Sequence, residues 1–216
     1  MKDKVLIVTP THKRPIAIIK RCLDSVYGQS VDTIIHVVCT DGESDTQLEE
    51  LVKEYQNKAE RHNREIQFVY MYTGIWFNDH ANSVRNFVVE SCKDNSEISH
   101  LVFLDDDNVI LPHYIESKFN ALSNAQAQNS KVKFCVSRII HFGPLPAKFR
   151  PPAVLTGIPV QVENIDSLQV MVAIEAFIEN GMWHTEYGYM ADGYTYQALA
   201  QRYSYVVMDE ILSIHF

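Results

Sequence analysis

Leu101-Val102-Phe103-Leu104-Asp105-Asp106-Asp107-Asn108-Val109-Ile110-Leu111-Pro112 runs from an unbroken apolar segment straight into three consecutive acids. An apolar run without alternation suits a central strand of a parallel sheet, covered on both faces, and in open α/β sheets ligands gather beyond the carboxyl ends of such strands. Adjacent carboxylates there repel one another and ask for a cation. Oxygen-only donors suit Mg²⁺ or Mn²⁺, with phosphate and water completing the shell. The competing reading is a solvated turn, because Asp and Asn favour turns and Pro112 suits the first turn of a helix.

Working outward, the chain repeats a strand-loop-helix rhythm. Val5-Leu6-Ile7-Val8 predicts a buried strand, closed by Thr9-Pro10-Thr11-His12-Lys13-Arg14-Pro15, and a helix from Pro15 carries Ile16, Ile19, Leu23 and Val26 at helical spacing up to Gly28. Thr33 to Cys39 predicts a second strand and Leu48, Leu51, Val52 and Tyr55 one helical face. Ile66 to Met71 returns as strand, and Ala81, Val84, Val88 and Cys92 mark another helix carrying Arg85 and Asn86. This alternation builds a parallel sheet with right-handed crossovers. Beyond the acids, a helix is expected from about Pro112 to Gln128, β structure over Lys131 to Ile140, a helix near Ser167 to Asn180, another from Gly193 to Arg202, and a β pair from Tyr205 to Phe216. The irregular stretch from Gly143 to Pro159 suits a lid better than a core.

The totals bound the function. At 216 residues and 46% hydrophobic content the chain fits one α/β domain with a sizeable core. A formal charge of -8 argues against a sequence-independent grip on nucleic acid. No apolar run reaches the ~20 residues of a membrane helix, and Met1-Lys2-Asp3-Lys4 begins no signal peptide. Cys22, Cys39, Cys92 and Cys135 show no CxxC spacing and read as buried thiols of a reducing compartment. The expectation is a cytoplasmic protein.

With its segments placed, the chain resembles the GT-A fold glycosyltransferases, and is most similar to family 2, the inverting, nucleotide-sugar-dependent enzymes. Thr9-Pro10-Thr11-His12-Lys13-Arg14-Pro15 is similar to the family's first-strand opening, and Val37-Val38-Cys39-Thr40-Asp41-Gly42 to its second-strand signature. Ser83-Val84-Arg85-Asn86 resembles its Ala-Arg-Asn helix, Asp105-Asp106-Asp107 its acidic metal motif, and Tyr189-Met190-Ala191-Asp192-Gly193 the segment holding the acid that activates the acceptor. The departures are Thr40 in place of the first of two acids, His12 in place of an aromatic residue, and Gly193 where a bulky residue is frequent, which would leave extra room near the acceptor.

The resemblance implies an α/β GT-A domain over 1–216, with a mainly parallel central sheet flanked by helices. Residues 1–111 would form the nucleotide-sugar half and 112–216 a smaller, β-containing acceptor half. It implies transfer of a sugar, with inversion, from a nucleoside-diphosphate donor (UDP favoured, GDP or dTDP as the other candidates) to a glycan or lipid-linked glycan, at the inner face of a membrane in the latter case. Asp192 would be the catalytic base, against its plain alternative as a helix N-cap. Thr9, Pro10, Thr11, Asp41, Arg85, Asp105 and Asp106 would contact the donor, Arg85 being otherwise a solvated helix arginine. Asp107, with Asp105 and His215, would hold Mn²⁺ or Mg²⁺. Trp183 and His184 would face the acceptor, aromatic rings offering flat faces to sugar C–H groups, or else pack in the core. Two rivals carry weight: a non-catalytic nucleotide-sugar or carbohydrate-binding module on the same fold, and a sugar nucleotidyltransferase. The second is disfavoured because Thr9 to Pro15 lacks a Gly-rich phosphate loop.

Overall fold

The computed structural model describes residues 3–142 and 152–216. The elements in chain order are β1 (Lys4–Thr11), α1 (Ile16–Tyr27), β2 (Ile34–Thr40), α2 (Thr46–Arg61), β3 (Gln67–Tyr72), α3 (Asn82–Cys92), β4 (Ile98–Phe103), β5 (Val109–Ile110), α4 (Tyr114–Gln128), β6 (Val132–His141), β7 (Val154–Leu155), β8 (Val170–Ala173), α5 (Ile174–Glu179), α6 (Ala191–Arg202) and β9 (Ser204–His215). Among the described residues one nine-stranded sheet runs in the order β3-β2-β1-β4-β8-β6-β9-β5, with β7 beside β6. β3, β2, β1 and β4 are mutually parallel, and β8 enters antiparallel to β4.

Alternation along β1 explains the layers. Val5 and Ile7 turn to a face covered by α1, α2 and α4 through Ile19, Leu23, Leu48, Tyr55, Tyr114 and Leu122. Leu6 and Val8 turn to the opposite face, covered by α3, α5 and α6 through Val84, Val88, Phe177, Tyr196 and Leu199. Both faces are therefore dry, which is why the strands read as continuous apolar runs. The helix starts follow local chemistry. Pro15 stands immediately before α1, and the Asp45 carboxylate caps α2 by accepting the Leu48 N–H at 3.1 Å.

Two expectations are corrected. The segment near Ser167 to Asn180 is not one helix. A short 3-10 turn over Ser167–Gln169 is closed by a capping box between Asp166 and Gln169, and the apolar run Val170-Met171-Val172-Ala173 then inserts as β8 between β4 and β6, so that only Ile174–Glu179 is helical. The terminal β pair is a single strand. Val136 pairs with Val207 and Arg138 with Ile211, so Met208-Asp209-Glu210 forms a bulge in β9 rather than a hairpin turn. Of the Gly143 to Pro159 stretch, 143–151 lies outside the described residues, and Val154–Leu155 pairs with Ile139 and Ile140. All four cysteines are free. Among the described residues no helix is long and apolar enough to cross a membrane.

Candidate active site

The acid turn begins where β4 ends, and it stays aligned with the sheet because the Leu104 N–H donates to the Val8 carbonyl at 3.0 Å. The three acids then face different ways. Asp106 points inward and is buried: its Oδ2 accepts the Thr11 hydroxyl at 2.6 Å and its Oδ1 accepts Arg14 Nε at 2.9 Å. Burial raises its pKa, with the Thr11 and Arg14 bonds working against that rise. Both its oxygens are thus engaged by protein, which corrects the expectation of a donor contact. Asp105 and Asp107 are only partly covered. Arg14 also reaches Asp107 Oδ2 at 3.2 Å. Arg85 pairs with Asp105 and donates to the His80 carbonyl at 3.0 Å, its guanidinium carbon lying 5.1 Å from the Trp183 ring centre. Arg85 is buried, so the solvated-arginine alternative is set aside.

The first two strands contribute less side-chain chemistry than expected. Thr9 and Pro10 are buried within the sheet, and the Thr9 hydroxyl is 2.8 Å from His36 Nε2, so that side chain is engaged inside the fold. Their alternation leaves Thr11 as the one that reaches the acids. Asp41 is buried with its two oxygens accepting the backbone N–H groups of Phe77 and Asn78 at 2.9 and 3.1 Å, which folds the 76–78 loop over the end of β2. His12 bonds the Asp41 carbonyl through Nδ1 at 2.9 Å and stacks on Trp76 with ring centres 5.4 Å apart and planes 9° from parallel. Trp76 itself is 59% exposed. The loop continues through Asn78, His80 and Ala81 at φ 52, 59 and 64°, a left-handed region that non-glycine residues enter at a cost. Asp79 holds it there by accepting both the N–H and the hydroxyl of Ser83.

Asp192 is the second residue of α6, not its N-cap, a position held by Met190. Burial, reinforced by the negative charge of Asp166, pushes its carboxyl up to about 7, while the Gly193 N–H, 2.7 Å from Oδ1, and Arg85 oppose the rise. Gly193 leaves no room for an acceptor: a Cβ there would lie 2.8 Å from Val162 Cα, so the glycine admits the Val162 backbone. Trp183 is a further correction, being 3% exposed and packed on Phe103, Phe177 and Tyr196. Its backbone is clamped at both ends by one side chain, the Asn86 amide, which accepts from the Trp183 N–H at 2.9 Å and donates to its carbonyl at 3.1 Å. His184 is half-buried against the Asn180 carbonyl at 3.2 Å. The exposed aromatics of this region are instead Tyr187, stacked on Tyr194, and Tyr189, edge-on to His80.

His215 lies at the end of β9, directly across from His141 at the end of β6. Asp166 accepts from His215 Nδ1 at 3.0 Å. Burial works to lower the His215 pKa, but the Asp166 bond and charge outweigh it and push the value up to about 9. The chain end is tied to the acid turn as well. Val109 pairs with Ile214, and the Phe216 N–H donates to the Asn108 side chain at 3.1 Å. Sequence reading assigned no role to Arg14, Asn86, His141 or Asp166, although Arg14 and Asn86 lie inside the motifs that carried the resemblance. Outside those motifs, Asp166 had a local signature, the Asp-x-x-Gln capping box, and that signature predicts a turn rather than a site.

The donor set fits a cation. The carboxylates of Asp105, Asp106, Asp107, Asp166 and Asp192 share this end of the sheet with fewer positive groups, Arg14, Arg85 and His215. Surface hollows along α2 at Glu50, Lys53 and Glu54, and between α4 and β9, contain none of these residues.

A parallel α/β half whose strand ends carry clustered acids, continued by antiparallel strands in the same sheet, is the GT-A glycosyltransferase fold. Solved structures agree. S. aureus TarS 1-349 matches 98% of this chain and 60% of its own at 15% identity with a TM-score of 0.71. TarS 1-349 has also been solved in complex with UDP-GlcNAc. A mannosyltransferase from Pyrobaculum calidifontis in complex with GDP-Man and Mn²⁺ matches 99% of this chain and 57% of its own at 15% identity, TM-score 0.66. The family model described as Glycosyl transferase family 2 matches residues 6–135, more than half of the chain, and the protein belongs to that glycosyltransferase family. An uncharacterized glycosyltransferase of Methanocaldococcus jannaschii is 23% identical over 123 residues, which are 57% of this chain and 38% of that protein. The chain thus spans less than two thirds of the length of these relatives.

Proposed function

We propose that the protein transfers a sugar, with inversion and with a divalent metal, from a nucleoside-diphosphate donor to a hydroxyl of a glycan or lipid-linked glycan. The observation that carries the reading is the convergence of Asp105 and Arg85 with Asp192, a carboxyl whose burial raises its pKa to about 7. In the displacement, the bond from the acceptor oxygen to the anomeric carbon forms as the bond to the diphosphate oxygen breaks. The acceptor proton passes to Asp192, and the nucleoside diphosphate departs as the anion. A base titrating near neutrality both exists as carboxylate and binds the proton usefully. The Gly193 N–H on Oδ1 leaves Oδ2 without a bond among the described residues, and so open to the acceptor hydroxyl.

Asp107, with Asp105 beside it, would hold Mn²⁺ or Mg²⁺, which when bound supplies positive charge to the diphosphate. Arg85 orients Asp105 and adds charge at the same place. Asp41 acts on the nucleoside by shaping the 76–78 loop, and Trp76, braced by His12, offers a flat exposed face to the base. Residues 1–111 form the donor half under this reading and 112–216 the acceptor half, with His184 at the acceptor side. UDP is the favoured nucleotide because the TarS structures carry UDP and UDP-GlcNAc, and GDP is next because the mannosyltransferase carries GDP-Man. The free thiols, buried at Cys22, Cys39 and Cys135, suit a reducing, cytoplasmic setting.

The test is calorimetric titration of UDP, GDP and dTDP, with and without Mn²⁺, on wild type and Asp107→Ala. Metal-dependent binding of one nucleotide, lost in the variant, is the expected result. Absence of binding to all three in the presence of metal overturns the reading in favour of a glycan-binding module.

A further inference from the structure

We propose that Tyr196 is a positioning residue for the base: its hydroxyl donates to the ionised Asp192 carboxylate, directly or through one enclosed water, and holds it for the acceptor. As a statement about sugar transfer this rests on the transferase reading, whereas the hydrogen bond itself does not.

The first observation is a buried hydroxyl without a bond. Tyr196 is fully buried, and among the described residues its hydroxyl has no hydrogen-bond partner. An unpaired polar group inside a protein is costly, and a buried tyrosine ordinarily finds a partner for its O–H. Phenylalanine would fill the same space without that cost.

The helix decides where the hydroxyl goes. Tyr196 stands one turn after Asp192 on α6, so the two share a face. Long helical side chains lean back toward the helix N-terminus, which aims the Tyr196 ring at the turn that carries Asp192. The backbone here is anchored: the Thr195 hydroxyl accepts the His184 N–H at 3.1 Å, and the Asn180 amide donates to the Thr195 carbonyl at 3.4 Å. The ring is fixed as well. It meets the Trp183 ring edge-on, with centres 5.6 Å apart and planes 70° to each other, and Trp183 is itself clamped by Asn86. Buried Trp183 thus serves the site as the wall against which Tyr196 is set.

The charged groups that act on the Tyr196 hydroxyl are Asp192 first, then Arg85 from α3, Asp166 from the turn before β8, and Asp105 from the acid turn. Tyr114 approaches from α4 but already donates to the Leu168 carbonyl at 2.9 Å. Arg85 can only donate. Asp166 has both oxygens bonded, to the Leu168 N–H and to His215, and Asp105 is paired with Arg85. Asp192, held among the described residues only by the Gly193 N–H, is the acceptor that remains. A carboxylate has about four lone-pair sites, so bonds from Gly193 and Tyr196 still leave room for the acceptor hydroxyl. A hydroxyl that donates to the charged form also favours that form, so Tyr196 works against burial and keeps the base usable near neutrality.

The test is Tyr196→Phe, which keeps the ring and removes the hydroxyl, followed by carboxyl-carbon NMR titration of Asp192 in the full chain. The midpoint is expected to move up by about half to one pH unit. No comparable movement is expected in Tyr194→Phe, which removes a hydroxyl from the same helix where the ring stacks on Tyr187. Urea unfolding gives a second readout. At pH 5, with Asp192 neutral, Tyr196→Phe is expected to match wild type or exceed it; above pH 8, where only wild type bonds its carboxylate, the variant is expected to be the less stable. A hydroxyl with a merely structural role would give the same difference at both. An unmoved midpoint, an equal movement in Tyr194→Phe, or a stability difference indifferent to pH would each overturn the inference. UDP, GDP and dTDP titrations of the same samples separate the two readings. Nucleotide bound with an unmoved midpoint overturns this inference alone. A moved midpoint in a chain that binds none of the three overturns the transferase proposal and leaves the hydrogen bond standing.

Discussion

Replacing Asp192 by Asn tests the placement of the base without any knowledge of the substrate. The carboxyl has an ordinary value of 3.8 and is pushed up to about 7 in the folded protein, chiefly by burial and then by Asp166. Folding therefore favours the protonated form. Below pH 4 the side chain is neutral in folded and unfolded chains alike. As pH rises from 4 to 7 the unfolded chain ionises while the folded one holds its proton, and stability falls. Above 7 the full penalty is present. The gap between 3.8 and about 7, at about 1.4 kcal/mol per pH unit, bounds it at about 4 kcal/mol. Asn has nearly the same shape and no charge to bury. Asp192→Asn is therefore expected to be more stable than wild type by about 2–4 kcal/mol at pH 8, with the advantage shrinking below pH 6 and gone near pH 4. Urea unfolding of both proteins at several pH values reads this out, and the comparison cancels the titrating groups that are not coupled to Asp192. The same variant is expected to lose transfer activity, and the wild-type rate to rise with pH through about 7 as the base ionises. A stability difference that stays flat between pH 4 and 8 would refute the reasoning.

Other changes probe the scaffold around the site. Thr11→Val removes the hydroxyl that donates to buried Asp106 and should cost about 1–3 kcal/mol in chemical denaturation, the penalty of an under-bonded buried carboxylate. Asn86→Leu strips both hydrogen bonds from the Trp183 backbone; a loss of about 2–4 kcal/mol is expected, together with faster amide exchange at Trp183. Gly193→Ala sets a methyl against Val162 Cα and should lower stability by about 1–3 kcal/mol, whereas a glycine that merely left space for an acceptor would accept the methyl with unchanged melting.

The parts of the fold that were legible in the sequence are those whose cause is local. β1, β2 and β4 are covered on both faces, so their apolar runs could hardly be anything else, and α1 and α2 announce themselves by spacing, α1 by Pro15 as well. Val170 to Ala173 misled because a short apolar run has no period of its own. Its strand character comes from β4 and β6 on either side, which the sequence does not display. The bulge at Met208 to Glu210 misled for a related reason: a polar pair inside an apolar alternation looks like a turn, and only the register with β6 shows the strand continuing. The site divides along the same line. Asp105, Asp106 and Asp107 are visible as a motif, but their division of labour is not, because it depends on which of them meets Thr11 and Arg14.

That division has a physical logic reaching beyond the motif. Three carboxylates side by side are stable only if their charges are dealt with separately. Asp106 is turned inward and spent on holding the turn to β1, Asp105 is balanced by Arg85 from α3, and Asp107 is touched by Arg14 at 3.2 Å. Each balancing group comes from a different element, so the turn also works as a junction through which β1, the loop before α1, and α3 are held in one arrangement. The chain end joins it through β5 and Asn108. Asp192, arriving on α6, lies in the combined field of Asp166, Asp105 and Arg85, and that field adjusts a pKa that burial has already raised. Loosening Arg85 or Asp105 should therefore move the titration of Asp192 even though neither forms a hydrogen bond with it: Arg85→Gln removes a nearby positive charge and is expected to raise the Asp192 value further. The direct check is a carboxyl-carbon NMR titration of Asp192 in wild type and Arg85→Gln. An unmoved midpoint would show that the Arg85 charge does not act on the base, and that the acid turn and the base are neighbours without being coupled through it.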